Sequence, residues 1–155
     1  MDVVDKQTRS RMMANIKGKN TRPEITVRSL LHRQGFRFRL HDKSLPGKPD
    51  LVLRKYKAVI FIHGCYWHRH EHCKLASTPK QNTEFWLTKF NTNLRRDGEV
   101  YYQLKLLGWR TAVIWECAIR NKKNLPDYIK ILTLWIKSEC EYLEIPDILP
   151  GLDEI

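Results

Sequence analysis

Long apolar runs are missing from this 155-residue sequence, and so are internal repeats and low-complexity linkers. The first absence excludes a membrane-spanning helix, which needs about 20 consecutive apolar residues. The others leave a single domain, residues 1–155, as the simplest division. The opening Met1-Asp2-Val3-Val4-Asp5-Lys6 has no apolar core of the kind a signal peptide requires. We therefore expect a cytoplasmic, reducing setting, in which the four cysteines serve as thiolate ligands or buried thiols rather than disulfides. Acidic residues are also scarce: 17 Asp and Glu stand against 28 Lys and Arg, a formal net charge of +11.

That surplus points to a polyanionic partner, because each Lys or Arg laid on a phosphate releases condensed counterions. Nucleic acid is the expected ligand, and a merely solubilising surface is the plainer alternative. With 42% hydrophobic and 29% charged residues, the chain has the composition of a folded globular protein.

Along the chain, residues 1–20 are basic (Lys6, Arg9, Arg11, Lys17, Lys19) around an apolar row of Met12, Met13 and Ile16. This predicts a short amphipathic helix ending near Gly18, a terminal arm whose Met13 and Ile16 either pack on the core or meet a partner. Thr21-Arg-Pro-Glu24 is a capping box with Pro in the first turn, opening a helix with Ile25, Leu30 and Leu31 inward and Gly35 as its stop. Phe36–Leu40 alternates as a half-buried strand does, and Asp50–Leu53 and Ala58–Ile62 read as a hairpin across Arg54–Lys57. Thr83–Leu107 has helical spacing with an interruption or kink at Gly98, Trp109–Trp115 is a central strand, and a last helix runs from Asn124 to Ser138. The tail over 139–155, with Pro146 and Pro150, reads as irregular. The sum is an α/β sandwich around a mixed sheet.

Rare residues concentrate between Ile60 and Cys73, which hold four of the six histidines and two of the four cysteines. Cys65, His70 and Cys73 have zinc-ligand spacing, and a tetrahedral site needs a fourth donor, for which Cys117 at the end of a strand is the candidate. His72 competes with His70. Cys140, with no ligand near it, reads as a spare core thiol. His63 and His68 are left over and have the right side chain for proton transfer. Across the hairpin, Asp50 stands at a strand start, where a carboxylate can hold Mg²⁺ against a scissile phosphate; alone, an Asp after Pro49 would be a turn former.

Taken in order, Thr8-Arg-Ser, Met13, Ile16, Glu24, Leu45-Pro-Gly-Lys-Pro-Asp50, His63-Gly-Cys-Tyr-Trp-His68, Thr83-Glu-Phe-Trp86, Lys89, Asn93, Arg96-Asp97, Gly108-Trp-Arg and Trp115-Glu-Cys117 form one pattern. Across residues 5 to 120 it resembles the very short patch repair endonucleases, T:G mismatch nickases of the restriction-endonuclease-like fold. The resemblance implies a three-layer sandwich with a central mixed sheet and a structural Zn²⁺ on Cys65, His70, Cys73 and Cys117. It implies Asp50 as the catalytic Mg²⁺ ligand with the main-chain carbonyl of Ile62, His68 as general base, His63 near the scissile phosphate, and Glu24 ordering water at the metal. Tyr66, Trp67 and Trp86 would wedge beside the mispair from the major groove, with Lys89 and Asn93 on DNA and Met13 and Ile16 in the minor groove. By itself, Trp86 would have read as a core residue.

The chain departs from the pattern in two ways. Ile62 stands where the family often has Thr, and the Arg69–His72 loop varies in length, so His70 is less fixed than the three cysteines. The acidic-x-Lys element of the wider fold is replaced by Phe61-Ile62-His63. The expected activity is a Mg²⁺-dependent nick 5′ to the T of a T:G pair left by deamination of 5-methylcytosine. The protein would act as a monomer on double-stranded DNA, with other mismatch-repair proteins as further candidate partners. Two rivals are a restriction or homing-type nuclease cutting matched DNA, and a non-catalytic, zinc-stabilised DNA-binding module.

Overall fold

Alternation along the central strands dictates the layering. A strand residue and its neighbour point to opposite faces. Leu51, Leu53, Ala58, Ile60, Ala112 and Ile114 pack in one apolar cluster, while Val52, Val59, Phe61, Val113 and Trp115 pack in another on the opposite side. Sheets covered on both faces have strands that are apolar throughout, as these are.

The computed structural model describes residues 20–146. Helix α1 (Arg22–Arg33) leads through β1 (Arg39–Leu40) to β2 (Leu51–Leu53), a 3₁₀ turn (Arg54–Tyr56) and β3 (Ala58–His63). The long α2 (Thr83–Leu106) follows, then β4 (Arg110–Trp115), the short α3 (Glu116–Arg120), α4 (Leu125–Lys137) and β5 (Tyr142–Ile145). The five strands lie in chain order. β1, β2 and β3 are antiparallel neighbours, whereas β3, β4 and β5 run parallel, so the sheet is mixed as expected. Helices α1, α3 and α4 cover one face through Val27, Leu31, Ile119, Leu132 and Ile136, and α2 covers the other through Leu104. Each of these buried aliphatic side chains contributes about 1.5–3 kcal/mol.

The parallel pairing fixes where a site can form. His63, the last residue of β3, is in register with Trp115, the last of β4. Both strands therefore deliver their chain to the same edge, where two connections leave the sheet.

At the opposite edge, Arg110 gathers loose ends. Its guanidinium stacks 4.7 Å from the Trp135 ring and donates to the carbonyls of Tyr56, Trp135, Ile136 and Cys140. Two of those carbonyls lie in the last turn of α4, where a cation also complements the helix dipole.

Several expectations need correction. Of the strand expected over 36–40, only Arg39–Leu40 pairs; Phe36 instead turns into the core against Tyr56. Ile25 faces outward and Val27 takes its place inside, because the buried row of α1 runs Glu24, Val27, Leu31. Gly98 does not interrupt α2, since packing along the helix outweighs the roughly 1 kcal/mol that a mid-helix glycine costs. Within the tail expected to be irregular, Tyr142–Ile145 forms β5, and Cys140 is exposed rather than a core thiol. The basic arm, with Met13 and Ile16, lies outside the described residues, as do residues 147–155.

Candidate active site and metal centre

Asp50 enters the site because β2 begins one residue later. β2 pairs with β3 only as far as Ile60, so Ile62 meets no strand partner on that side. Its N–H donates to Asp50 Oδ2 at 2.7 Å. A strand residue points its N–H and C=O to the same edge, so the Ile62 carbonyl faces the Asp50 side as well.

Glu24 and His41 complete this half of the site. The Glu24 N–H donates to Thr21 Oγ1, and the carboxylate reaches back to the Asn20 N–H, so the capping box closes one residue earlier than its simplest form. The same Glu24 Oε2 lies 2.9 Å from His41 Nε2, which is 3.7 Å from Asp50 Oδ1. Burial pushes the Asp50 carboxyl up to about 6, against the opposing pull of the Ile62 N–H; the nearby Glu24 charge adds to the rise.

The other half hangs from the end of β3 and the loop after it. His63 is buried, stacks on His68 at 3.7 Å and shares a 2.6 Å hydrogen bond with Tyr101 Oη. Burial, and then the neighbouring His68, hold its pKa well below the usual histidine range, so His63 is neutral. His68 Nδ1 lies 2.7 Å from Asp97 Oδ2, an orientation that leaves Nε2 for other work. Asp50, Glu24, His41, His63 and His68 all line one cleft of about 1140 Å³, together with Trp67 and the cations Lys43, Lys48 and Arg120.

Behind this loop the four expected zinc donors converge. One donor atom from each of Cys65, His70, Cys73 and Cys117 falls within 4.8 Å of the others. A tetrahedron with Zn–S distances near 2.3 Å places its corners about 3.8 Å apart, so the set fits without rearrangement of the chain. Burial raises the Cys65 and Cys117 thiols, and it keeps His70 neutral. Such thiols lose their protons to solvent on coordinating a cation, and zinc is the ion suited to three sulfurs and one imidazole. His70 is fixed by stacking on Trp115 at 4.3 Å, while His72 is exposed and outside the cluster.

An aromatic group borders the cleft through Trp67. Trp67 contacts Tyr66 edge-on at 4.9 Å and lies 6.1 Å from Trp86, with Phe90 beneath Tyr66 and Trp86. Lys89 Nζ sits over both tryptophan rings, and Asn93 Nδ2 donates to the Trp67 carbonyl. Arg69 latches the loop with hydrogen bonds to Tyr66, Ser77, Ala76 and Thr78, its guanidinium 4.0 Å from the Phe90 ring.

Three partners were given no role by sequence reading: Asp97, Tyr101 and His41. A signal for the first two exists. Trp86, Phe90, Asn93, Asp97 and Tyr101 are spaced three or four apart and form one stripe of α2, turned toward the loop. His41 carries no such signal, since it reads as a turn residue.

The family described as DNA mismatch endonuclease Vsr matches residues 1–75. The chain is 48% identical over 126 residues to the DNA mismatch endonuclease Vsr of Escherichia coli, covering 81% of this chain and 80% of that one. It is 46% identical over 136 residues to the type II nicking enzyme V.NmeAIP of Neisseria meningitidis serogroup A, covering 88% and 96%. A type II nicking enzyme of Xanthomonas oryzae pv. oryzae, V.XorIIP, is 44% identical over 120 residues, covering 77% and 88%.

Proposed function

Because the chain belongs to the Vsr family and is a DNA nicking endonuclease, we propose that it cuts one strand 5′ to the T of a T:G mispair and so starts very short patch repair. The observation that carries this reading is the single cleft shared by Asp50, His63, His68 and Trp67. Chemistry and a stackable aromatic stand side by side there.

In this reading Asp50 and the Ile62 carbonyl hold Mg²⁺. The donor set is hard oxygen at the end of a strand, which suits that ion, and the ion supplies positive charge beside the scissile phosphate. The remaining work belongs to the side chains. Asp97 orients His68 so that Nε2 accepts the proton of the attacking water. His63, kept neutral and pinned by Tyr101, lends a hydrogen bond without adding charge. Lys43, Lys48 and Arg120 lead the phosphate backbone into the cleft. The fold is a restriction-endonuclease-like three-layer sandwich forming one domain, with residues 1–20 as the DNA-contacting arm and zinc as its structural ion.

Replacing His68 by Ala should lower the nicking rate about 10²–10⁴-fold. An unchanged rate would assign the proton transfer elsewhere, with His63 the next candidate.

Recognition is tested with two duplexes that differ only in T:G against T:A. Unstacking costs least at a mispair, so an inserted ring discriminates by itself. Trp67→Ala and Trp86→Ala should each remove about 1–3 kcal/mol of stacking, shrinking the T:G preference about 5- to 150-fold while salt-dependent binding to either duplex persists. Equal losses on both duplexes would mean that the rings serve the fold. Equal nicking of both by the unmodified enzyme would favour a nuclease of matched DNA.

A further inference from the structure

His41 occupies a position that the oxygen-donor reading of the site leaves unexplained. Its backbone is left-handed, φ 48°, which is uncommon for a non-glycine residue although histidine adopts it more readily than most. Its N–H donates to the Asp50 carbonyl at 3.3 Å, one step beyond the pairing of Leu40 with Leu51. The side chain is thereby carried over the start of β2, with Nε2 2.9 Å from Glu24 Oε2 and 3.7 Å from Asp50 Oδ1.

These spacings have a chemical meaning. Neighbouring ligands of an octahedral cation with 2.1 Å bonds are about 3 Å apart. One donor atom each from Glu24, His41 and Asp50 lies within 4.8 Å of the others. Asp50 Oδ2 is engaged by the Ile62 N–H, which leaves Oδ1 on the His41 side. Glu24 Oε2 already accepts from the Asn20 N–H and faces His41 Nε2, which leaves Oε1. The side chains are 21%, 16% and 6% exposed for His41, Asp50 and Glu24, and all three line the catalytic cleft. The group is thus open to a small ion while excluding most solvent.

We propose that His41 is a nitrogen donor to the cation held by Asp50, and that it makes this site favour transition-metal cations such as Mn²⁺ over Mg²⁺. Imidazole is a borderline-soft ligand whose attraction for transition metals exceeds its attraction for Mg²⁺, which prefers oxygen and retains its water. As a ligand, Nε2 turns its lone pair to the ion and carries its proton on Nδ1, giving up the hydrogen bond to Glu24. The inference rests on Asp50 being the cation ligand, and its test separates the two claims.

Zinc-loaded protein without DNA is titrated with Mn²⁺, followed by electron paramagnetic resonance, and Mn²⁺ is then displaced with Mg²⁺. Pulsed measurements on the bound Mn²⁺ read directly whether a ¹⁴N nucleus is coordinated. For the unmodified protein we expect a ¹⁴N coupling. In His41→Gln it should vanish while Mn²⁺ still binds, and about tenfold less Mg²⁺ should displace half of the Mn²⁺. Asp50→Asn should lose the bound Mn²⁺ altogether. Binding that depends on Asp50 with no ¹⁴N coupling, or with one that survives His41→Gln, overturns the role of His41 and leaves Asp50 in place. Binding unaffected by Asp50→Asn overturns the reading of the site beneath it.

Discussion

Asp50→Asn is expected to cost at least about 10³-fold in nicking and, in Mg²⁺-free buffer, to make the protein more stable. The first effect follows from the weakness of an amide as a ligand for a hard cation, whose charge at the phosphate is worth several kcal/mol. The second follows from burial. The carboxyl titrates at about 6 in the folded chain against an ordinary 3.8, so between those values the folded state holds the proton more tightly. Stability from this group is therefore fully present below about pH 3.8 and lost as the pH rises through about 6. The loss amounts to on the order of 3 kcal/mol at neutral pH. Asn does not ionise, and its oxygen can still accept from the Ile62 N–H. Urea unfolding of both proteins from pH 4 to pH 8 should give curves that diverge with rising pH and run parallel above about 7. Turnover within tenfold of the parent would remove Asp50 from the mechanism, and a gap independent of pH would mean that folding does not raise this carboxyl.

Cys117→Ser is expected to fail at folding before it fails at chemistry. Its sulfur stands at the start of α3, 3.5 Å from His70 Nδ1, and its N–H donates to Cys65 Sγ. Its loss would take away one of the four donors that the Cys65, His70, Cys73 and Cys117 cluster offers to an ion, which would tie the loop after β3 to the end of β4. Structural zinc sites contribute their binding energy to folding, on the order of 10 kcal/mol in small peptides, so a loss of several kcal/mol is the expected scale here. Zinc content should drop from one per chain to near zero, with a lower Tm or insoluble protein. Cys140→Ser, at an exposed site with no part in the cluster, should leave both unchanged. Native, active Cys117→Ser protein that holds no zinc would refute the assignment.

What could be read in advance was what sits in contiguous pattern. The hairpin of Asp50–Leu53 with Ala58–Ile62, the central strand ending at Trp115 and the close spacing of Cys65 and Cys73 around two histidines follow from strand alternation and ligand spacing, both of which are local. It is the fold that brings His70, stacked on Trp115, among the three cysteines and leaves His72 outside the cluster. Misreadings fell where tertiary packing overrides local signals. Gly98 stays helical because the buried Phe90 and Leu104 anchor α2 on either side of it, and Tyr142–Ile145 becomes a strand because β4 offers it an open edge. His41 was illegible for a related reason: its position depends on a backbone bond to Asp50, between residues that no periodicity connects.

Arg110 likewise joins residues far apart in sequence. Its four carbonyl partners join the turn after β2, the end of α4 and the approach to β5, at the sheet edge farthest from Asp50 and His68. A lysine could not take its place, because a single ammonium lacks the planar fork that spans several acceptors while stacking on Trp135. Arg110 thus serves the fold and has no part in the chemistry. Its replacement should lower stability while leaving the arrangement of Asp50 and His68 in the remaining folded protein unchanged.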